Sequence, residues 1–119
     1  LIAADLDTAN VAEPFERFAA SAANLCQERE MLCDRNMDAA ESARPVLSFL
    51  TDGQDRFFFD LHRFNSELGR ATFEAAKSIN APRLKALSFG LRARIAVGGK
   101  PTCGRQVLDA YCDTVDDIA

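Results

Sequence analysis

Four cysteines are the residues whose chemistry is easiest to read from this sequence. Cys26 and Cys33 fall on one stripe of an early helical segment, and Cys103 and Cys112 fall in the last segment. Three kinds of chemistry are open to such a set: metal binding, thiol redox catalysis or disulfide formation. Structural zinc sites space their ligands two to four residues apart. Here the gaps within the pairs are six and eight residues and there is one histidine, so no metal site is expected. A Cys-x-x-Cys redox pair is absent. Disulfides are the favoured reading, with four reduced cysteines serving as small apolar core residues as the competing one; in a short chain disulfides imply an oxidising compartment, so the expectation is a secreted, extracellular protein.

Helix geometry restricts the pairing. Cys26 and Cys33 are separated by a rise of roughly 10 Å, whereas a disulfide needs Cα atoms within about 7 Å. Cys103 and Cys112, if both helical, point to opposite sides. That leaves two bonds between the first and last helices. An antiparallel arrangement gives Cys26–Cys112 and Cys33–Cys103, and a parallel one gives Cys26–Cys103 and Cys33–Cys112; the antiparallel set is slightly preferred, because the second helix is short and broken by Pro45.

Other catalytic constellations are missing. His62 is the only histidine, and Asp60 and Glu67 do not stand three or four residues from it. No serine or cysteine motif accompanies it, and no glycine-rich phosphate loop or calcium loop occurs. His62 reads as an ordinary surface or boundary residue, and neither enzyme activity nor a cofactor is expected.

The elements that position these residues read as helical nearly throughout. With 119 residues, 48% of them hydrophobic and 27% charged, the chain has the size and composition of one globular domain. No apolar run approaches the roughly 20 residues of a membrane span. Leu1 at the start, with no basic region leading into an apolar stretch, reads as a mature product or an excised piece. After an N-terminal arm over 1–9, Pro14 suits the first turn of a helix carrying Phe15, Phe18, Ala22, Leu25 and Leu32. A short helix follows from about Asp38 to Leu50, and Thr51-Asp52-Gly53 reads as a turn. A third stripe runs from Phe57 to Ile79 until Asn80-Ala81-Pro82 stops it. Leu84, Leu87, Leu91 and Ile95 then make a fourth, closed by Gly98-Gly99, and Thr102 begins a fifth. The expected architecture is all-α: a disulfide-stapled bundle of about five helices forming one domain over 1–119.

Two further patterns bear on function. Net charge is 14 − 18 = −4, yet from Ala75 to Leu108 there are seven bases and no acid. This is either a basic face for an anionic group or a helix balanced by acidic neighbours. Nucleic acid is not expected as a partner of so acidic a chain. The second pattern is nine phenylalanines against one tyrosine and no tryptophan. Phe57, Phe58 and Phe59 sweep about 200° of a helix, too wide for one buried face. One of them therefore meets a second core layer, a cavity or a partner.

Short stretches are similar to known families. The Cys26–Cys33 gap resembles the first pair of insect chemosensory proteins, and the Cys103–Cys112 gap the last pair of insect odorant-binding proteins. Ala12-Glu13-Pro14-Phe15 and the stretch from Pro82 to Ala96 resemble pieces of the helical N-terminal domains of spider silk proteins. None of these families' full patterns is present, so no membership follows. The functional expectation is a carrier of a small hydrophobic or amphiphilic ligand or lipid in a phenylalanine-lined cavity, with Phe57, Phe58, Phe64 and Phe89 as its wall and Arg92 for an acidic head group. The alternative is a homodimer or other self-associating interaction domain that uses the acidic and basic poles.

Overall fold

In a computed structural model, residues 9–118 are described, the side chains of residues 9, 10 and 61 excepted. The N-terminal arm expected over 1–9 lies outside them but for Ala9. Among the described residues there are four α-helices and no strand: α1 (Phe15–Leu32), α2 (Ala43–Ser48), α3 (Glu67–Gly98) and α4 (Gly104–Ile118). One 3-10 turn, Ala9–Ala12, precedes α1, and another, Ala40–Ser42, leads into α2. Two π-helical stretches, Phe49–Gly53 and Arg56–Leu61, continue α2 without a gap.

The all-helical expectation holds, and the count and stapling do not. Two expected breaks are absent and one unexpected break is present. At Thr51-Asp52-Gly53 the chain stays helical as a π turn, and the Thr51 hydroxyl donates to the Leu47 carbonyl at 2.7 Å, giving this polar residue a partner inside the helix. The break falls instead at 62–66, where His62 turns to an extended backbone and the Ser66 hydroxyl accepts from the Gly69 N–H at 2.9 Å, capping α3.

From there α3 runs 32 residues through Pro82. Asn80 does not stop the helix, because its side-chain NH2 is used elsewhere: it donates to the Val11 and Glu13 carbonyls, both at 2.8 Å, and ties the first 3-10 turn to α3. A proline in a helix interior costs about 3 kcal/mol. Pro82 is exposed, so the missing hydrogen bond faces water, and burial of Leu84, Leu87 and Leu91 on the opposite face offsets it. At about 1.5 Å per residue this helix sets the molecule's 45 Å long axis.

The disulfide staple is overturned. All four cysteines are free thiols, Cys26 buried, Cys103 half-buried, Cys33 and Cys112 exposed, and no pair comes within disulfide distance. The first and last helices do touch: Tyr111, 1% exposed, donates its hydroxyl to the Ala19 carbonyl at 3.1 Å. Because Tyr111 holds the buried face of α4, Cys112, about 100° further round the helix, is turned to solvent. Cys33 lies just past the end of α1, and Cys103 precedes α4. The argument from cysteine pairing to an oxidising compartment thereby loses its premise.

What joins the elements is packing and a few buried polar contacts. Phe15, Phe18, Cys26, Val46, Leu50, Phe58, Leu84, Leu87, Leu91, Val107 and Tyr111 form the core. Gly104 sits where α4 meets α2, its N–H donating to the Ser42 hydroxyl at 2.7 Å. A Cβ there would lie 2.7 Å from Val46 and 3.1 Å from the Ser42 carbonyl, so the position needs glycine for close approach.

Candidate functional site

An apolar groove of about 630 Å³ lies between α1 and the π-helical continuation of α2. Its position follows from the local fold. Phe18, Ala22 and Leu25 recur on one side of α1, while the wide π turns present Phe49 and Phe57 opposite them. π-Helical turns are rare and frequently accompany functional sites. Ser21, Asn24 and Glu28 form the polar border, and Arg29 stacks over the Phe49 ring at 5.2 Å.

Gln54 lies between the two π stretches and lines the groove. The residue is 8% exposed, and neither its Nε2 nor its Oε1 meets a hydrogen-bond partner among the described residues. The Tyr111 hydroxyl lies close to this amide, but its hydrogen bond goes to Ala19. An unmet buried polar group costs about 1–3 kcal/mol. Gln54 thus lines the hollow as a residue, but its two amide atoms are themselves buried and reach a ligand there only by a turn of the side chain.

The residues expected to line a cavity are dispersed by the fold. Phe57, 39% exposed, is in the groove. Phe58 is in the core, edge-on to Phe18 with ring centroids 5.7 Å apart, and its other side borders a second, smaller pocket. Phe64 is buried against His62 and Phe73. Phe89 is 75% exposed on α3, away from both hollows. Arg92 pairs with Asp52 at 2.5 Å and Asp55 at 3.8 Å, so it braces α3 to the preceding segment and meets no groove.

Two more bases of the run are held in ion pairs and one over an aromatic ring. Arg94 pairs with Asp117, Arg105 with Asp38 at 2.6 Å, and Lys85 stacks over Phe59 at 5.1 Å. The sequence reading missed Gln54 and Leu25, since an isolated glutamine carries no periodic signal and Leu25 reads as core. It also missed His62, which is 4% exposed, because its burial depends on Lys77, fifteen residues away.

Among the described residues no group of three or more histidine, cysteine or acidic side chains stands close enough to hold a metal, and no helix is long and apolar enough to cross a membrane. Compared with protein-family models, curated proteins and solved structures, the chain matches none.

Proposed function

We propose that this protein binds a small apolar or amphiphilic molecule in the groove between α1 and the π-helical segment, with the ligand's polar end hydrogen-bonded by Gln54. The observation that carries the reading is the buried, unpartnered carboxamide at the edge of an apolar hollow. A volume of about 630 Å³ suits a drug-sized ligand. Five apolar side chains supply affinity and one amide supplies orientation. The test is titration with the fluorescent probe N-phenyl-1-naphthylamine. Saturable binding is expected, and Ala22→Trp, which fills the groove from α1, is expected to abolish it with the helical circular dichroism unchanged. Absence of saturable binding by the unaltered protein, or binding indifferent to Ala22→Trp, overturns the proposal.

A second reading, self-association, is favoured by a different observation. The outward side of α3 exposes Leu68, Ala75, Ile79, Ala86, Phe89, Ala93 and Val97 in a stripe with no charge inside it. Contiguous exposed apolar surface of this kind marks contact surfaces. The helix's two acids, Glu67 and Glu74, lie in its first half with Arg70 and Lys77, and Arg83, Lys85, Arg92 and Arg94 lie in its second. Antiparallel pairing of two copies sets the charge-balanced half of one beside the basic half of the other. Sedimentation equilibrium distinguishes the readings: a dimer that Ile79→Glu dissociates supports self-association, and a monomer at every concentration overturns it.

A further inference from the structure

Outside the groove, α3 carries a buried amine. Lys77 is 8% exposed, and its Nζ lies 2.9 Å from His62 Nδ1, 3.4 Å from the His62 carbonyl and 5.1 Å from the centre of the Phe58 ring. None of the ion pairs among the described residues includes it. Burial holds its pKa below the ordinary lysine value, with Glu74 opposing and Arg63 adding to the effect. The amine borders the second pocket, about 230 Å³, whose wall also holds Phe58, Phe59, Arg63, Glu74 and Ser78.

We propose that Lys77 is a reactive amine that captures a small carboxylate-bearing carbonyl compound, an aldehyde or 2-oxo acid, as an imine in this pocket. A desolvated lysine in an apolar site is the usual form of an imine-forming nucleophile. A pocket of about 230 Å³ restricts the ligand to a small molecule. Arg63 gives two N–H bonds to the carbonyls of Phe59 and His62. A guanidinium has five donors, so it retains capacity for a carboxylate.

The step balances without an oxidant or reductant. The Lys77 ammonium passes a proton to His62 Nδ1, freeing the nitrogen lone pair. That pair attacks the carbonyl carbon and forms the C–N bond, while the C=O π pair moves to oxygen. The amine's two remaining protons end on that oxygen, which leaves as water as the C=N bond forms. The Glu74 carboxylate, on the pocket wall, is the group there that can relay them from nitrogen to oxygen.

The experiment uses the whole protein, glyoxylate and cyanoborohydride at neutral pH, followed by peptide mass mapping. Lys85 and Lys100, both exposed, are internal controls. Lys77 is expected to be alkylated several-fold faster than either, because burial leaves more of its amine unprotonated, and Lys77→Arg removes that label alone. Arg63→Gln is expected to slow it several-fold. Labelling of Lys77 no faster than the exposed lysines overturns the proposal, and an unchanged rate in Arg63→Gln overturns the carboxylate assignment.

Discussion

A single amide sets the ligand reading, and its energetics can be checked without knowing the ligand. Replacing Gln54 by leucine removes two unmet buried polar atoms and keeps nearly the same volume. The variant is expected to be more stable by about 1–2 kcal/mol, read as a higher urea midpoint, while binding amphiphiles with a polar end less tightly. Tyr111 gives the opposite result. Its hydroxyl bonds the Ala19 carbonyl in a buried site, so Tyr111→Phe is expected to lose about 1 kcal/mol in the same assay.

At the scale of elements, α3 and its junctions decide the architecture. Pro82 lies inside a continuous helix with its ring in water, so Pro82→Ala is expected to stabilise the protein by up to about 3 kcal/mol. A chain broken at 80–82, with Pro82 opening a new helix, would show almost no change. Two glycines at helix contacts are expected to differ. Gly104→Ala drives a Cβ against Val46 and the Ser42 carbonyl, a backbone atom that cannot swing away, and is expected to cost about 1–3 kcal/mol. Gly90→Ala meets only the Thr114 methyl, which can turn, and gains about 1 kcal/mol of helix propensity, so its net change is expected to be small. Paired urea melts check both.

For the whole molecule, the state of the thiols is the broadest test. Under native conditions Cys33 and Cys112 are expected to react quickly with Ellman's reagent, Cys103 more slowly and Cys26 only after unfolding, following their exposure. A bundle stapled by two disulfides would give no reaction. Cys26 also links stability to pH. Burial, with Glu30 adding, pushes its thiol up from 9.0 to about 11, and burial raises the Tyr111 phenol as well. Both favour the neutral form in the fold, so their contribution is whole below about pH 9 and declines as pH rises through about 11. Lys77, lowered by burial, acts with the opposite sign in its own window beneath 10.5. A urea midpoint that falls from pH 9 to 11, and falls less in Cys26→Ala, is the expected result.

Local pattern determined much of this: an all-helical chain, the apolar stripes of Phe15–Phe18 and Leu84–Leu91, and the glycine pair that closes α3. These are legible because helix periodicity and φ preferences act within a few residues. What tertiary structure alone decided are the relations between distant side chains. Asn80 looked like a stop because its use, holding the Val11 and Glu13 carbonyls, is nearly seventy residues away. Phe57, Phe58 and Phe89 are one residue type with three fates, groove, core and open surface, set by which face a neighbour covers. Cys26 and Cys112 lie on helices that do meet, but the rotation of α4, fixed by Tyr111, turns Cys112 outward. Gln54 becomes a candidate only where two π turns and α1 enclose it. Side-chain rotation and burial come from global packing, and a local sequence pattern contains neither.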